Sequence, residues 1–173
     1  MTNYKSLLKN INTFIFDYDG VLTDGSVITL DDGEAYRTTN VKDGYALQLA
    51  VKKGYRVVVI SGARADCMLH RLKALQIKDI FLGVENKLEV FDRYLHDNSV
   101  EAGHVLFMGD DVPDYELMLR AGIATCPADA AEEIRSVAKY ISNMPGGKGC
   151  VRDVIEQVLK IQGNWMNHDG YHW

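Results

Sequence analysis

The chain has 173 residues, of which 47% are hydrophobic and 25% are charged. This composition is typical of a soluble globular protein and excludes disordered and collagen-like chains. The length suits one domain, which we expect to span residues 1–173. The net charge of −5 is not accompanied by a basic stretch, so we expect no nucleic-acid binding. A small anionic substrate remains compatible with this charge, because it needs only a local positive site.

The cysteines and the apolar runs bear on location. Cys67, Cys126 and Cys150 are odd in number and widely spaced, which argues against a disulfide framework and against a metal-binding knuckle. Reduced thiols are typical of the cytosol, and we expect a cytoplasmic protein. The longest apolar runs have strand length, and the N-terminal residues lack the apolar stretch of a signal peptide. We therefore expect no membrane contact.

Strands and helices are predicted to alternate along the chain. Apolar runs predict strands at residues 12–16, 56–60, 79–82, 104–108 and 122–125, with a short one near Tyr140. Helical periodicity predicts helices from Asp43 to a stop at Gly54 and over residues 65–75, 87–96, 115–121, 130–137 and 151–161. This alternation predicts an α/β fold with a doubly wound, Rossmann-like parallel sheet.

Two segments fall outside the alternation. The β-prone runs at residues 27–30 and 35–38 flank Asp31-Asp32-Gly33-Glu34, and Asp-Gly between such runs predicts a β-hairpin. The hairpin forms an insertion of about residues 24–40. The C-terminal tail, about residues 163–173, is aromatic without a regular period.

Reactive side chains follow the predicted strands. In doubly wound sheets the chemistry lies at the carboxyl ends of the strands, which meet at one edge. The residues found just after strands, or opening the next helix, are Asp17, Asp19, Ser61, Lys87, Asp110, Asp111 and Asp114. We expect them to lie at one edge of the sheet.

Asp17-Tyr18-Asp19-Gly20 places two carboxylates on the same side of a strand end. A simple turn is the plainer interpretation, because Asp and Gly are common turn residues. An EF-hand loop is excluded, since its sixth position would be Leu22 and its twelfth Ile28.

Gly109-Asp110-Asp111-Val112-Pro113-Asp114 is a second acidic cluster after a strand. A helix start with Asp111 as the cap and Pro113 in the first turn explains one aspartate but not the others. Two acidic clusters at one sheet edge would repel each other without a cation between them. Carboxylates without His or Cys partners are best suited to Mg²⁺.

Ser61 and Lys87 are weak signals when taken singly. A serine after a strand usually caps a helix, and a lone lysine is usually a solvated surface residue. Together with Mg²⁺ around one carboxylate, a hydroxyl and an ammonium would neutralise a phosphoryl group. Gly146-Gly147-Lys148-Gly149 is not a Walker loop, which would need glycine at position 142 and Ser or Thr at position 149. We interpret it as a flexible hinge.

These motifs, in this order, resemble those of the haloacid dehalogenase superfamily. The resemblance narrows to the 3-deoxy-D-manno-octulosonate 8-phosphate phosphatase family over nearly the whole chain. The segments that carry it are residues 17–25, 40–45, 86–88, 109–111 and 146–152.

The resemblance implies a phosphatase mechanism. Asp17 would form an aspartyl-phosphate, and Asp19 would act as general acid and then as general base, helped by neighbouring negative charge that favours its neutral form. Mg²⁺ would be held by Asp17, by the Asp19 backbone carbonyl and by Asp110. Asp111 or Asp114 would support this site, and Ser61 and Lys87 would bind the phosphoryl group.

The resemblance also implies substrate contacts. The implied residues, besides Asp19 and Lys87, are Asn40, Val41, Lys42, Asp43, Gly44, Arg71 and Arg152. The family commonly has Gly-Arg after the Ser61 position, whereas this chain has Gly62-Ala63-Arg64. Arg64 is therefore a candidate for the role of that family arginine.

The expected substrate is 3-deoxy-D-manno-octulosonate 8-phosphate, in lipopolysaccharide precursor synthesis. Relatives without a cap domain form homotetramers in which one subunit's hairpin covers a neighbour's site, and we expect the same here. The nearest alternative substrate is a nine-carbon sialic-acid-type 9-phosphate. Alternatives of another class are a receiver-like phosphoacceptor domain, which would not need Asp19, and an inactive interaction subunit.

Overall fold

A computed structural model describes residues 4–31 and 33–165. The strands are β1 (Thr13–Phe16), β2 (Ile28–Thr29), β3 (Ala35–Tyr36), β4 (Arg56–Ser61), β5 (Asp79–Leu82), β6 (Val105–Met108), β7 (Ile123–Cys126) and β8 (Tyr140–Ile141). The helices are α1 (Tyr4–Leu7), α2 (Val41–Lys52), α3 (Asp66–Ala74), α4 (Lys87–Asp97), α5 (Tyr115–Arg120), α6 (Glu132–Val137) and α7 (Cys150–Ile161). The predicted aromatic tail lies mostly beyond Trp165, outside the described residues.

Six strands form one parallel sheet in the order β5-β4-β1-β6-β7-β8. With the hairpin strands left out, this is the doubly wound order 3-2-1-4-5-6, so the predicted fold class is confirmed. The chain runs outward in one direction from β1 through β4 and in the other through β6. The crevice outside the carboxyl ends of β1 and β6 is therefore where such a sheet binds its ligand.

The sheet is buried on both faces because helices cover each side. Phe14 and Phe16 of β1 point to the face covered by α2, α3 and α7. Ile15 points to the other face, which α4, α5 and α6 cover. All four β1 residues are buried, which explains why this strand is a continuous apolar run rather than an alternating one.

The hairpin is shorter than predicted. β2 and β3 have two residues each and pair antiparallel, with Ile28 opposite Tyr36. An isolated two-stranded hairpin is only marginally stable, because no third strand or helix packs against it to stabilise longer strands. It exposes four large apolar side chains, which are Val27, Ile28, Leu30 and Tyr36.

The N-terminal helical segment and the start of α2 differ from the predictions. α1 and the 3₁₀ turn Leu8–Asn10 were not predicted, because four residues carry too little periodicity to be recognised. α2 begins at Val41 instead of Asp43, since the Asn40 side chain accepts a hydrogen bond from the backbone N–H of Lys42 at 2.8 Å and caps the helix.

The loop Gly146–Gly149 is a packed junction, so its interpretation as a hinge is wrong. A Cβ on Gly146 would collide with the carbonyl oxygen of Gly20, which means that only glycine permits this approach. Gly147 and Gly149 have φ values of +62° and +113°. The loop therefore packs directly against the turn that follows β1.

Asp43 anchors this loop to α2. Its side chain is 2% exposed and accepts hydrogen bonds from the backbone N–H of Gly149 at 3.1 Å and of Arg152 at 2.7 Å. Both carboxylate oxygens are thus occupied inside the protein. Asp43 therefore has a structural role in this chain, and its expected contact with the substrate stays a prediction.

Replacing Asp43 by alanine is expected to destabilise the protein by about 3 kcal/mol. The substitution removes two charge-assisted hydrogen bonds and leaves two backbone N–H groups without a partner. Urea unfolding measures the change. The matched control is Asp97→Ala, whose carboxylate is 61% exposed and which should stay within about 0.5 kcal/mol of the parent. Equal stabilities of the two variants would contradict the anchoring role.

Candidate active site

The crevice between β1 and β6 brings three aspartates together. Asp17 directly follows β1, and Asp110 and Asp114 follow β6. The backbone N–H of Asp17 donates to the carbonyl of Met108 at 3.0 Å, so the two strand ends stay paired up to the site. Carboxylate oxygens of Asp17, Asp110 and Asp114 lie within 4.8 Å of one another.

Two glycines allow the carboxylates to approach. A Cβ on Gly20 would overlap the carboxylate of Asp110, and a Cβ on Gly109 would lie 2.5 Å from the Cβ of Asp114. Gly20 also has a φ of +79°, which a side chain would disfavour. Both acidic motifs therefore contain glycine because a side chain at either position would occupy the space of a neighbouring aspartate.

Lys87 lies among these aspartates. Its Nζ is 2.9 Å from Asp17 Oδ1 and 2.7 Å from Asp114 Oδ1, and its side chain is 8% exposed. Asn86 fixes its position by accepting a hydrogen bond from the backbone N–H of Glu89 and capping α4. Burial alone would lower the pKa of Lys87, but Asp17 and Asp114 outweigh this effect and raise it. Lys87 is a buried cation, in contrast to the solvated lysine of the plainer interpretation.

One ammonium does not balance three carboxylates. Burial and the charge of Asp114 raise the pKa of Asp17 to about 7, and burial and the charges of Asp17 and Asp114 raise that of Asp110 to about 8. Asp17 Oδ1 is buried and lacks a hydrogen-bond partner, although Lys87 Nζ lies 2.9 Å away as its counter-charge. A largely buried, oxygen-only set with excess negative charge fits Mg²⁺, as predicted.

Mg²⁺ affinity is expected to increase with pH. Because their pKa values lie above the ordinary value near 4, Asp17 and Asp110 hold protons in the folded state that the unfolded chain releases. The metal-free protein should therefore lose stability as pH rises from about 4 to about 8. Mg²⁺ competes with these protons, so its affinity should rise about 10-fold or more between about pH 6 and pH 8. Titration calorimetry measures this, and a pH-independent affinity would contradict it.

Ser61 ends β4 and Asp111 follows β6, and these are the two strands that pair with β1. Ser61 is 1% exposed and accepts a hydrogen bond from the backbone N–H of Ala63 at 3.2 Å. Asp111 is exposed and caps the 3₁₀ turn Val112–Asp114 through the backbone N–H of Val112. Asp114 accepts from the backbone N–H of Asp110 at 3.1 Å and so orders the loop that carries Asp110.

Asp19 contacts a cation that sequence reasoning missed. Arg37, which follows β3, donates from Nε to Asp19 Oδ1 at 2.7 Å. Negative neighbours were expected to favour the neutral form of Asp19, and its direct partner is instead an arginine. The sequence contained one weak indication of this contact, an arginine after the second strand of the hairpin. Charged residues are common at such positions, so the arginine did not stand out.

The site cavity has a volume of about 270 Å³ and is distinct from a neighbouring groove. Asp17, Asp19, Lys87, Asp110, Asp111 and Asp114 line it, together with Gly20, Gly25 and Pro113. A second cavity of about 940 Å³ shares Lys87 and Pro113 with it and extends to Gly62 and Ser136. The two adjoin at Lys87, so a group larger than phosphate can extend from the acidic cluster.

Several expected substrate residues lie elsewhere. Asn40, Lys42 and Arg152 line a separate groove of about 510 Å³, and the residues lining it include none from the acidic cavity. Arg152 there pairs with Glu156 and lies over the rings of Tyr45 and Trp165. Within the described residues of one chain, the structure therefore does not bring these three side chains to the acidic cluster.

The remaining residues expected to contact the substrate lie in α2, in α3 or just before α3. Val41 is 64% exposed. Gly44 is buried against Arg71, whose Nη2 would be 2.5 Å from a Cβ at that position. Arg64 is exposed and extends along Gly83 beyond the end of β5. Gly44 is thus required for the position of Arg71, while Arg64 has no contact with the acidic cluster in this chain.

Known proteins have similar sequences and the same fold. The chain is 33% identical over 162 residues to the 3-deoxy-D-manno-octulosonate 8-phosphate phosphatase KdsC of Salmonella typhi, covering 94% of this chain and 86% of that one. It is 34% identical over 155 residues to the Escherichia coli K12 enzyme of the same name, covering 90% and 82%. No family model matches the chain.

A solved structure shows the same likeness. The Moraxella catarrhalis 3-deoxy-D-manno-octulosonate 8-phosphate phosphatase, in complex with a magnesium ion, a phosphate ion and KDO, superposes with a TM-score of 0.90 at 32% identity, covering 92% of each chain.

Within residues 4–31 and 33–165, no helix has the length and apolarity needed to cross a membrane.

Proposed function

Because the chain belongs to the 3-deoxy-D-manno-octulosonate 8-phosphate phosphatase family of the haloacid dehalogenase superfamily, we propose that it hydrolyses this sugar phosphate to the free sugar acid and inorganic phosphate. The observation that carries the proposal is the cluster of buried Asp17 and Asp114 with half-buried Asp110 around Lys87, at the carboxyl ends of β1 and β6. The chain is a Mg²⁺-dependent phosphatase, and its place is in lipopolysaccharide precursor synthesis.

Asp17 is the nucleophile. One carboxylate oxygen forms a bond to phosphorus as the bond from phosphorus to the sugar oxygen breaks, and the electron pair leaves with that oxygen. Asp19 donates a proton to the departing oxygen. It then takes a proton from the water that attacks the aspartyl-phosphate, which releases phosphate and restores Asp17.

Asp17, Asp110 and the backbone carbonyl of Asp19 hold Mg²⁺, which when bound neutralises charge on the phosphoryl oxygens. Lys87 and the Ser61 hydroxyl bind the phosphoryl group from the side of α4 and β4. Asp114 supports this arrangement by fixing Lys87 and the Asp110 loop, and Asp111 supports it by capping the following turn.

A panel of phosphate esters tests the substrate. We expect the kcat/KM for 3-deoxy-D-manno-octulosonate 8-phosphate to exceed that for a nine-carbon sialic-acid-type 9-phosphate by about 10-fold, since one carbon is discriminated only weakly. Hexose phosphates, which lack the acid group, should be at least about 100-fold poorer. Equal rates across the panel would contradict the substrate, and no observation favours the receiver-like or interaction-subunit alternatives.

We also propose a cytoplasmic homotetramer. The supporting observation is the hairpin, because it exposes Val27, Ile28, Leu30 and Tyr36 at between 43% and 58% of their surface. A second copy of the chain would cover this apolar surface, and the hairpin would in turn cover the active site of that neighbouring subunit. Free thiols at Cys67, Cys126 and Cys150 agree with a reducing compartment.

Sedimentation tests the assembly. The parent should sediment as a tetramer, and Ile28→Glu should dissociate it and lower the kcat/KM for the sugar phosphate. Lys78→Glu is a matched control, because its exposed side chain lies away from the hairpin. A fully active parent monomer would contradict the assembly.

A further inference from the structure

We infer that Arg37 is a positioning residue that holds Asp19 in the orientation needed for proton transfer. This inference rests on the proposed function, because it requires Asp19 to exchange a proton with the leaving oxygen. It adds a residue of the hairpin to the machinery of the site. Neither Asp17 nor Asp110 takes part in the contact.

The contact is direct and partly shielded from solvent, since the Asp19 side chain is 30% exposed and that of Arg37 is exposed much less. Arg37 Nε lies 2.7 Å from Asp19 Oδ1, and the Arg37 side chain is 9% exposed although most of the hairpin is exposed. Hydrogen bonds to an ionised partner are stronger when they are removed from water. An exposed ion pair would give little restraint, whereas this one is placed to give a substantial one.

Both ends of the contact are fixed by further hydrogen bonds. Arg37 Nη1 donates to the carbonyl of Ala35 at 3.3 Å, which ties the guanidinium to its own strand. The Thr23 hydroxyl donates to Asp19 Oδ1 at 3.3 Å and accepts from the backbone N–H groups of Gly20 and Gly25. Asp19 Oδ1 is therefore held by two donors from two different segments.

This arrangement selects one oxygen for the chemistry. Among the described residues, the hydrogen bonds of the Asp19 carboxylate all go to Oδ1. Oδ2 is left for the substrate, and Asp19 lines the cavity that contains Asp17 and Asp110. Arg37 and Thr23 thus hold Oδ1 in place, and Oδ2 is the oxygen that exchanges a proton with the leaving group. A substrate contact of Arg37 is not required for this role.

Leaving groups of different acidity test the inference without a sugar. Phenyl phosphate and 4-nitrophenyl phosphate are similar in size and carry no carboxylate, but only the phenyl ester depends strongly on a proton for its leaving oxygen. In Arg37→Met we expect kcat/KM to fall about 10- to 100-fold for phenyl phosphate and for the sugar phosphate. This loss is a part of what general acid catalysis contributes to the rate, because Asp19 remains present but is no longer held in place. The 4-nitrophenyl ester should lose less than about 3-fold.

Three variants sharpen the test. Arg37→Lys keeps a donor and should restore part of the loss. Arg120→Met is the matched control, because it removes an Arg–Asp ion pair with Asp92 that is exposed. It should leave kcat/KM for all three substrates unchanged. In an Asp19→Asn background, removing Arg37 should cost no further activity in single-turnover measurements, because Arg37 acts through Asp19.

Equal losses on the phenyl and nitrophenyl esters, or an additive loss in the Asp19→Asn background, would overturn the positioning role. The parent's hydrolysis of the sugar phosphate would stand in that case, and the proposed function with it. A parent that is inactive on sugar phosphates would overturn the proposed function, and this inference would fall with it.

Discussion

Replacing Asp17 by asparagine is expected to abolish turnover, with a loss of at least about 10⁴-fold in kcat. An amide does not form the aspartyl-phosphate, and it also removes one anionic ligand from the metal site. The fold should survive, because the substitution keeps the shape of the side chain. It also removes a buried charge that Asp114 and Asp110 repel. We therefore expect the metal-free variant to be at least as stable as the parent.

A matched aspartate separates this effect from a general one. Asp92 is 46% exposed on α4 and pairs with Arg120, away from the crevice, so Asp92→Asn should keep the activity of the parent. Steady-state phosphate release and thermal unfolding without metal are the two measurements. Retained turnover in Asp17→Asn would contradict its role as nucleophile.

Replacing Lys87 by methionine is expected to lower activity by about 10³-fold and to destabilise the metal-free protein by about 3 to 5 kcal/mol. Asp17 and Asp114 would then face each other without the cation that lies 2.9 Å from one and 2.7 Å from the other. Mg²⁺ supplies positive charge to the same cluster. It should therefore raise the stability of the variant more than that of the parent.

Lys160→Met is the control for Lys87→Met. The Lys160 side chain is 57% exposed and pairs with Glu156 one helical turn away, so its replacement should change the free energy of unfolding by no more than about 0.5 kcal/mol. Urea unfolding with and without Mg²⁺ measures both variants. A stability of Lys87→Met equal to that of the parent in the absence of metal would contradict the account of the cluster.

The sheet and the acidic cluster could be predicted because both follow from simple patterns. Continuous apolar runs such as β1 occur where a strand is buried on both faces. Carboxyl ends of parallel strands meet at one edge, so Asp17 and Asp110 had to be neighbours once the two strands were placed. Glycine at positions 20 and 109 was part of the motifs, and its reason, the space for carboxylates, is visible only in three dimensions.

Contacts between segments far apart in the chain could not be predicted. Arg37 reaches Asp19 across 18 residues, through a hairpin whose packing no local pattern specifies. Asp43 reaches Gly149 across 106 residues and is buried there, although the resemblance implied a place at the substrate. The motifs record which residue types are present, and their partners depend on the tertiary packing.

Trapping of the phosphorylated enzyme tests the central claim most directly. The parent is mixed with substrate labelled in the phosphoryl group and quenched in acid within one turnover. One portion is assayed for label on the protein, and another is reduced with borohydride, which releases the phosphate and converts the aspartyl residue to homoserine. We expect label on the parent protein, homoserine at position 17 and neither in Asp17→Asn. Label on another residue, or full-rate turnover without any labelled protein, would contradict the mechanism built on the Asp17, Asp110 and Lys87 cluster.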